Sequence, residues 1–406
     1  MQKQVLIVGG GIGGLAAALG CSHAGWEVRL YERAPQFTEV GAGVQIGPNV
    51  VRCLRAWGLQ AALEAVAAFP DRLQVRSALD GRELASLPLG AAIARRYGAA
   101  YATIHRADLH GLLLDAVRAQ PQAHLNLGHR AERHADEGGA VTLRLARQDG
   151  SSALVEGDAL IGADGLRSAT RARLLGEAPA RVSGHLAYRA VARQDALPQA
   201  LRTGHVTAWL GPRLHVVQYP LRRGELMNVV AIREGMPPAD LESWDHGVNA
   251  HDLGAALAGA CTALQDVVCA MPQAGSGWRL WPLLDRPPVA GPHEMARGLV
   301  ALLGDAAHPM RPYLAQGAGM AIEDAAELQR TLSMDDLDVP LRLRRYALNR
   351  WQRNARVQER SRRNGIIFHA SGPLRWGRDM ALSLLGERVL DVPWLYRGDG
   401  PAASEP

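Results

Sequence analysis

Residues 4 to 19 constrain this chain more than any other stretch. Gln4-Val5-Leu6-Ile7-Val8 is a short apolar run suited to a buried strand; it ends in Gly9-Gly10-Gly11-Ile12-Gly13-Gly14, and Leu15-Ala16-Ala17-Ala18-Leu19 continues as a strong helix former. Strand, tight turn and helix in that order open a dinucleotide-binding βαβ unit. Gly9 permits the turn, Gly11 lets backbone approach a pyrophosphate with no Cβ in the way, and Gly14 allows the helix to pack closely on the strand. The helix N-terminus then offers N–H groups to the phosphates. A second strand, Glu27 to Tyr31, ends at Glu32, whose carboxylate can accept both ribose hydroxyls of an adenosine; Arg33 beside it is grouped with the nucleotide site. A carboxylate there disfavours a 2′-phosphate, so the nucleotide is FAD or NAD rather than NADP.

Later motifs separate those two. Leu299-Val300-Ala301-Leu302-Leu303 is another buried-strand run, followed by Gly304-Asp305-Ala306-Ala307-His308-Pro309 and then by Gln316-Gly317-Ala318-Gly319 at the start of a helical stretch. A carboxylate at the carboxyl end of a strand can bond a polyol such as ribityl. A glycine-rich helix start beside it can stabilise negative charge on a reduced flavin ring. Between these lie Ala159-Leu160-Ile161-Gly162-Ala163-Asp164-Gly165, again strand then turn, and His105-Arg106-Ala107-Asp108-Leu109, which opens a helix with Arg106 in its first turn. Three strand-end Gly/Asp sites fit one elongated cofactor held along one sheet, which points to FAD.

These stretches, GGGIGG with Glu32, HRADL, GADGLRS and GDAAHPMRPYLAQGAGMAIEDA, resemble the signature segments of the class A FAD-dependent aromatic hydroxylases, which share the fold of para-hydroxybenzoate hydroxylase. Gly211-Pro212-Arg213-Leu214-His215-Val216-Val217-Gln218-Tyr219-Pro220 and Arg360-Ser361-Arg362-Arg363-Asn364-Gly365 are similar to the branch containing salicylate hydroxylase, 3-hydroxybenzoate 6-hydroxylase and 6-hydroxynicotinate 3-monooxygenase. The resemblance implies noncovalent FAD, NADH or NADPH as a transient co-substrate, O₂, and hydroxylation of a phenolic aromatic acid through a flavin C4a-hydroperoxide. It places Pro309, Gln316, Gly317 and Ala318 along the flavin ring, with Gly41 to Gln45 against its other edge. Val44 stands where some relatives have arginine, so no carboxylate contact is carried over there. Pro312 stands where hydroxybenzoate 6-hydroxylases have glutamine, and a tryptophan that relatives carry near Pro292 is absent.

The expected fold is α/β: a Rossmann-like FAD-binding domain with an inserted antiparallel-sheet substrate domain and C-terminal helices. At 406 residues the chain exceeds what one core organises. The FAD domain is read as residues 1–72, 100–180 and 276–340, with a sheet hairpin at 73–99 turning at Asp80-Gly81, the substrate domain at 181–275 and a helical region at 341–406 whose last residues, Pro401 to Pro406, fray. Within the substrate domain, Val206 to Leu210, Leu214 to Leu221 and Leu226 to Ile232 read as antiparallel strands, and the period of two puts His215, Val217 and Tyr219 on one face. His215 is the candidate group that polarises or deprotonates the substrate hydroxyl, against a structural histidine; Tyr219 and Tyr313 are candidate pocket hydrogen-bonders, against ordinary packing. Arg311 suits either a substrate carboxylate or a solvent or helix-capping role. His308 reads as structural.

Composition narrows the class. Hydrophobic residues are 48% and charged residues 21%, ordinary for a globular chain, and no apolar run approaches the roughly 20 residues of a membrane span. Of 45 basic residues Lys3 is the one lysine, leaving 44 arginines, nine of them between Arg342 and Arg363. That cluster reads as a solvated, ion-paired helix face rather than a nucleic-acid patch. Cys21, Cys53, Cys261 and Cys269 make no CxxC pair, and there is no HExxH, nucleophile elbow or Walker loop. The reading is a cytoplasmic, metal-free enzyme without nucleic-acid or membrane partners, a monomer or homodimer, acting on a small aromatic molecule. A hydroxylase of another aromatic or N-heteroaromatic substrate, or a flavin oxidoreductase that inserts no oxygen, is the alternative.

Overall fold

The structure, a computed structural model, describes residues 3–37, 42–176, 180–237, 250–275 and 277–398. Gly41 and Pro401 to Pro406, named above, lie outside them. The chain forms two compact units: Met1–Val40 with Ala107–Arg181 and Leu284–Arg362, and Gly41–Arg106 with Val182–Leu283 and Arg363–Pro406. Residues 41–106 thus belong to the second unit as a whole, where the sequence reading put only 73–99 there, and the C-terminal helical region is divided at Arg362.

The first unit is built on a six-stranded sheet with the spatial order Ala296–Arg297, Val300–Leu302, Ala159–Gly162, Gln4–Val8, Glu27–Glu32, Ala123–Leu127. All pairings are parallel except the short edge strand. Val5, Leu6 and Ile7 are fully buried, as continuous apolar runs in a parallel sheet covered on both faces must be. Helices Ile12–His23 and Gly317–Leu332 pack on one another, close enough that a Cβ at Gly20 would lie 2.7 Å from the Ala325 carbonyl oxygen. The three-stranded antiparallel sheet His129–Asp136, Val141–Arg147, Ser152–Gly157 adds Val141, Leu143 and Leu145 to a core with Leu6, Val8, Leu160 and Val300. Register aligns Val8 with Gly162 and Gly162 with Leu302, so three neighbouring strands end together. The turns bearing Gly9, Asp164 and Asp305 therefore emerge from one carboxyl edge, the place where open α/β sheets bind ligands.

Of the nine arginines between Arg342 and Arg363, all on the helix Val339–Phe368, five (Arg344, Arg345, Arg356, Arg362 and Arg363) lie on the solvated face expected of them, and three turn inward instead. Arg342, Arg350 and Arg353 are buried. Arg350 donates from Nε to Asp324 Oδ1 at 2.8 Å and from Nη1 to Glu323 Oε2 at 3.0 Å, and Arg353 grips both Glu323 oxygens at 2.6 and 2.7 Å. The adjacent acids Glu323 and Asp324, buried on the helix Gly317–Leu332, draw Arg350 and Arg353 inward, while Arg342 donates to the Leu332 and Leu337 carbonyls.

The second unit carries a seven-stranded sheet in the order Arg279–Asp285, Arg181–Arg193, Leu226–Glu234, Leu214–Leu221, Val206–Gly211, Arg72–Ser77, Glu83–Pro88. The hairpin at Asp80-Gly81 forms, with Gly81 at φ 75°. One face buries Tyr188, Trp209, Val216, Met227 and Val229 against Leu264, Val267 and Met271 of the helix Thr262–Ala274. Register pairs His215 with Ile232, Val217 with Val230 and Tyr219 with Asn228, and pairs Val230 with Arg189. His215, Val217, Tyr219, Asn228 and Arg189 consequently share the opposite face.

Candidate active site

In the first unit the Gly9–Gly14 turn has the geometry its glycines demand. Gly9 sits at φ 105°, and a Cβ there would lie 2.5 Å from the Ala163 carbonyl oxygen; one at Gly14 would lie 1.8 Å from the Gly9 oxygen. Gly11 precedes the helix Ile12–His23, whose first turn has no side-chain cap. That cradle fits a pyrophosphate, since uncapped N–H groups at a helix start favour an anion. The Glu32 carboxylate accepts the Gly10 N–H at 2.6 Å and the Ala34 N–H at 2.9 Å, so it braces the turn; Arg33 is exposed beside it. Sequence reasoning missed His110, buried with its Nε2 2.8 Å from the Gly10 carbonyl, which fixes the loop from beneath.

Asp164 and Gly165 follow the second strand. Gly165 takes φ 77°, and Asp164 accepts the Thr170 N–H and hydroxyl at 3.0 Å and the Ser168 hydroxyl, capping the helix Ala169–Leu175. After the third strand, the Asp305 carboxylate lies beside the start of the helix Gly317–Leu332, where a Cβ on Gly317 would be 3.9 Å from Asp305 Oδ1. The carbonyls of this turn are held by two buried arginines absent from the sequence reading. Arg171 donates to the Ala306 oxygen at 2.8 Å and Arg286 to the Ala307 oxygen at 3.0 Å. An arginine three residues after the Ser168 cap was the available signal.

Pro309 is tied by its carbonyl to the Gln358 amide at 3.0 Å. Tyr313 is buried in the turn Pro312–Leu314. Ala315 then takes φ 53°, a left-handed conformation uncommon outside glycine, and the strained residue aims Gln316, Gly317 and Ala318 into a helix start without a side-chain cap. His308 is fully buried against Asp324. Burial pushes the Asp324 carboxyl up, but His308, Arg350 and Asn354 outweigh it and hold the group well below the usual carboxylate range. His308 is thus a structural member of the ion network. Arg311 donates to Asp285 at 2.6 Å, which assigns its charge to an internal partner.

In the second unit, Arg106 opens the helix Arg106–Arg118 and its N–H donates to the Ala42 carbonyl at 2.9 Å. Gly43, between them in space and chain, permits close approach: a Cβ there would lie 2.5 Å from Tyr219 Cε2. The Tyr219 hydroxyl donates to the Gly43 carbonyl at 2.8 Å. His215 is buried, its Nδ1 2.9 Å from Nε2 of His369, with Phe368 edge-on at 5.3 Å. Burial above all, then the neighbouring His369 and His185, holds the His215 imidazolium well below its ordinary pKa, so the ring is neutral at pH 7. His369 could not be found from sequence, because 154 residues separate it from His215.

No helix among the described residues is long and apolar enough to cross a membrane. A family model described as FAD binding domain matches residues 2–207 and 290–361. A 3-hydroxybenzoate 6-hydroxylase of Polaromonas naphthalenivorans (strain CJ2) is 38% identical over 397 residues, covering 97% of this chain and 95% of its own. A 6-hydroxynicotinate 3-monooxygenase of Bordetella bronchiseptica (strain ATCC BAA-588 / NCTC 13252 / RB50) is 36% identical over 376 residues, 89% of this chain and 91% of its own. Among solved structures, Klebsiella pneumoniae HpxO complexed with FAD and uric acid superposes with a TM-score of 0.82 at 27% identity, covering 96% of this chain and 94% of that one.

Proposed function

The chain belongs to the FAD-binding-domain family of flavoprotein aromatic monooxygenases, and from that premise we propose that it uses NADH or NADPH and O₂ to hydroxylate a phenolic aromatic acid, salicylate-like or 3-hydroxybenzoate-like. The observation that carries the finer reading is His215, a buried imidazole held neutral on the same sheet face as Tyr219. Bound FAD supplies electron transfer from the nicotinamide and activation of O₂. Overall, a ring C–H, O₂, NAD(P)H and one proton give C–OH, water and NAD(P)⁺.

The chain's own residues do the rest. Gly9, Gly11 and Gly14 receive the pyrophosphate; Glu32, Arg33, Arg106, Asp164, Gly165 and Asp305 line the remainder of the dinucleotide; Pro309, Gln316, Gly317 and Ala318 support the ring. His215 takes the phenol proton, which raises electron density at the ring carbons ortho and para to the oxygen. Tyr219 and Tyr313 orient the substrate by hydrogen bonds. The enzyme works in the cytoplasm as a monomer or homodimer.

His215→Ala tests the assignment. Flavin content should stay intact while hydroxylation slows roughly 10²-fold or more, the usual size of a lost general base, and H₂O₂ replaces product. The measurement is product formed per NAD(P)H oxidised; wild-type rate and coupling in the variant would return His215 to a structural role.

A further inference from the structure

Two buried donors on the sheet face of the second unit are left without acceptors, and they are neighbours. Arg189 and Asn228 both share the face of Tyr219, and Asn228 is paired across the sheet with Val191, two residues from Arg189. Among the described residues the Arg189 guanidinium makes no ion pair, its Nε is shielded from solvent without a hydrogen-bond partner, and its one ring contact is with Trp281 at 5.2 Å. The buried arginines described above all reach carboxylates or carbonyls. Arg311, the other candidate for an anion, is already neutralised by Asp285.

Asn228 is fully buried, and its Oδ1 accepts the Gly43 N–H at 2.8 Å. That bond fixes the amide orientation, because an N–H cannot donate to Nδ2. Nδ2 therefore faces the site as a donor, and it has no acceptor. The Tyr219 hydroxyl spends its proton on the Gly43 carbonyl. Burial presses the Arg189 pKa downward, Tyr219 opposes this and the like charge of Arg106 adds to it, the pattern of a cation that lacks a counter-ion. A half-buried guanidinium whose Nε is shielded without an acceptor and a buried amide without one are both costly, and one anion placed between them satisfies both.

We propose that Arg189 and the Asn228 amide form an anion subsite that takes the carboxylate of the aromatic substrate, one oxygen on each donor. The inference deepens the hydroxylase reading and rests on it for the identity of the ligand. The guanidinium over Trp281 and the ring of Tyr219 beside it supply the apolar walls that select an aromatic carboxylate over an inorganic anion.

The test uses FAD-loaded enzyme, titrated with 3-hydroxybenzoate, salicylate, phenol and inorganic phosphate while flavin absorbance reports binding. Arg189→Gln should weaken the better-bound acid about 10- to 100-fold, the range for a lost charge-assisted hydrogen bond, and phenol by less than about threefold. Arg189→Lys should recover part of the loss. Asn228→Asp keeps the Gly43 bond and exchanges the donor for a negative oxygen, so it should weaken the acid by about 10-fold or more without loss of FAD; this variant decides the matter if Arg189→Gln fails to retain flavin. Equal weakening of acid and phenol, no weakening of either, or phosphate binding as tightly as the acid overturns the subsite. Acid-selective binding without hydroxylated product in the wild type would leave the subsite standing and remove the hydroxylase reading; product formation unaffected by Arg189→Gln would do the reverse.

Discussion

Arg350 is the residue on which the interior of the first unit most depends, and its removal has a calculable consequence. Its guanidinium is buried against two buried carboxylates, donating to Asp324 at 2.8 Å, to Glu323 at 3.0 Å and to the Asn354 side-chain oxygen at 3.3 Å. In Arg350→Met, Glu323 keeps Arg353, but Asp324 retains only the His308 ring, the Asn354 amide and the Gly304 N–H. Removing one member of a buried ion pair costs about 3–5 kcal/mol because the remaining charge stays desolvated. For a unit of this size that corresponds to a melting temperature lower by roughly 6–20 °C, measured at a fixed FAD concentration because ligand shifts the midpoint. The double variant Arg350→Met with Asp324→Asn removes the stranded charge and should recover at least half of the loss. The sign with pH follows from Asp324, whose pKa lies below its ordinary 3.8 in the folded chain: its contribution is present above that value and disappears as pH falls below it. The gap between wild type and Arg350→Met should accordingly close in that acid range. A variant melting within about 2 °C of wild type at pH 7, or a double variant no better than the single, would refute the assignment of stability to this pair.

Two further outcomes are expected. Gly14→Val places a Cβ 1.8 Å from the Gly9 oxygen and should yield folded but colourless protein, checked by flavin absorbance after gel filtration; normal FAD retention would contradict the cradle. With His215 kept neutral by burial, the acid limb of coupled hydroxylation should lie below pH 6.5, so a pH profile of product per nicotinamide that falls already at 6.5 or above assigns the limb to another group.

How much of this was legible in the sequence depended on how far apart the cooperating residues lie. The pyrophosphate turn was, because Gly9 and Gly14 meet within one turn of chain and their glycines are demanded locally. The ends of the strands at Val8, Gly162 and Leu302 were, because each strand-turn unit announces itself separately and parallel pairing then gathers the three turns at one edge. Arg350 and Arg353, two arginines of the helix Val339–Phe368 that leave its solvated face, were misread because helical spacing shows that residues share a face without showing what covers it. Their partners, Glu323 and Asp324, sit some 27 positions upstream. A pair of adjacent acids inside the apolar stretch Met320-Ala321-Ile322 to Ala325-Ala326 was the overlooked clue, since buried carboxylates require buried cations.

The sheet face of the second unit shows the limit most sharply. Alternation along one strand sufficed to group His215 with Tyr219, but Arg189 and Asn228 join them only through the pairing of three strands. No single-strand pattern contains that register. Even with the register known, the decisive property is negative, that Arg189 Nε and Asn228 Nδ2 find no acceptor in the folded unit, and it emerges only when every neighbour is placed. Among the described residues, Arg350 and Arg353 are neutralised by internal carboxylates, whereas Arg189 makes no ion pair and sits beside a second unsatisfied donor, an electrostatic deficit at one place on that face. The deficit is relieved by an anion from outside the chain, and so the same absence of partners that is unfavourable to the free enzyme becomes binding selectivity for a charged substrate over its neutral analogue.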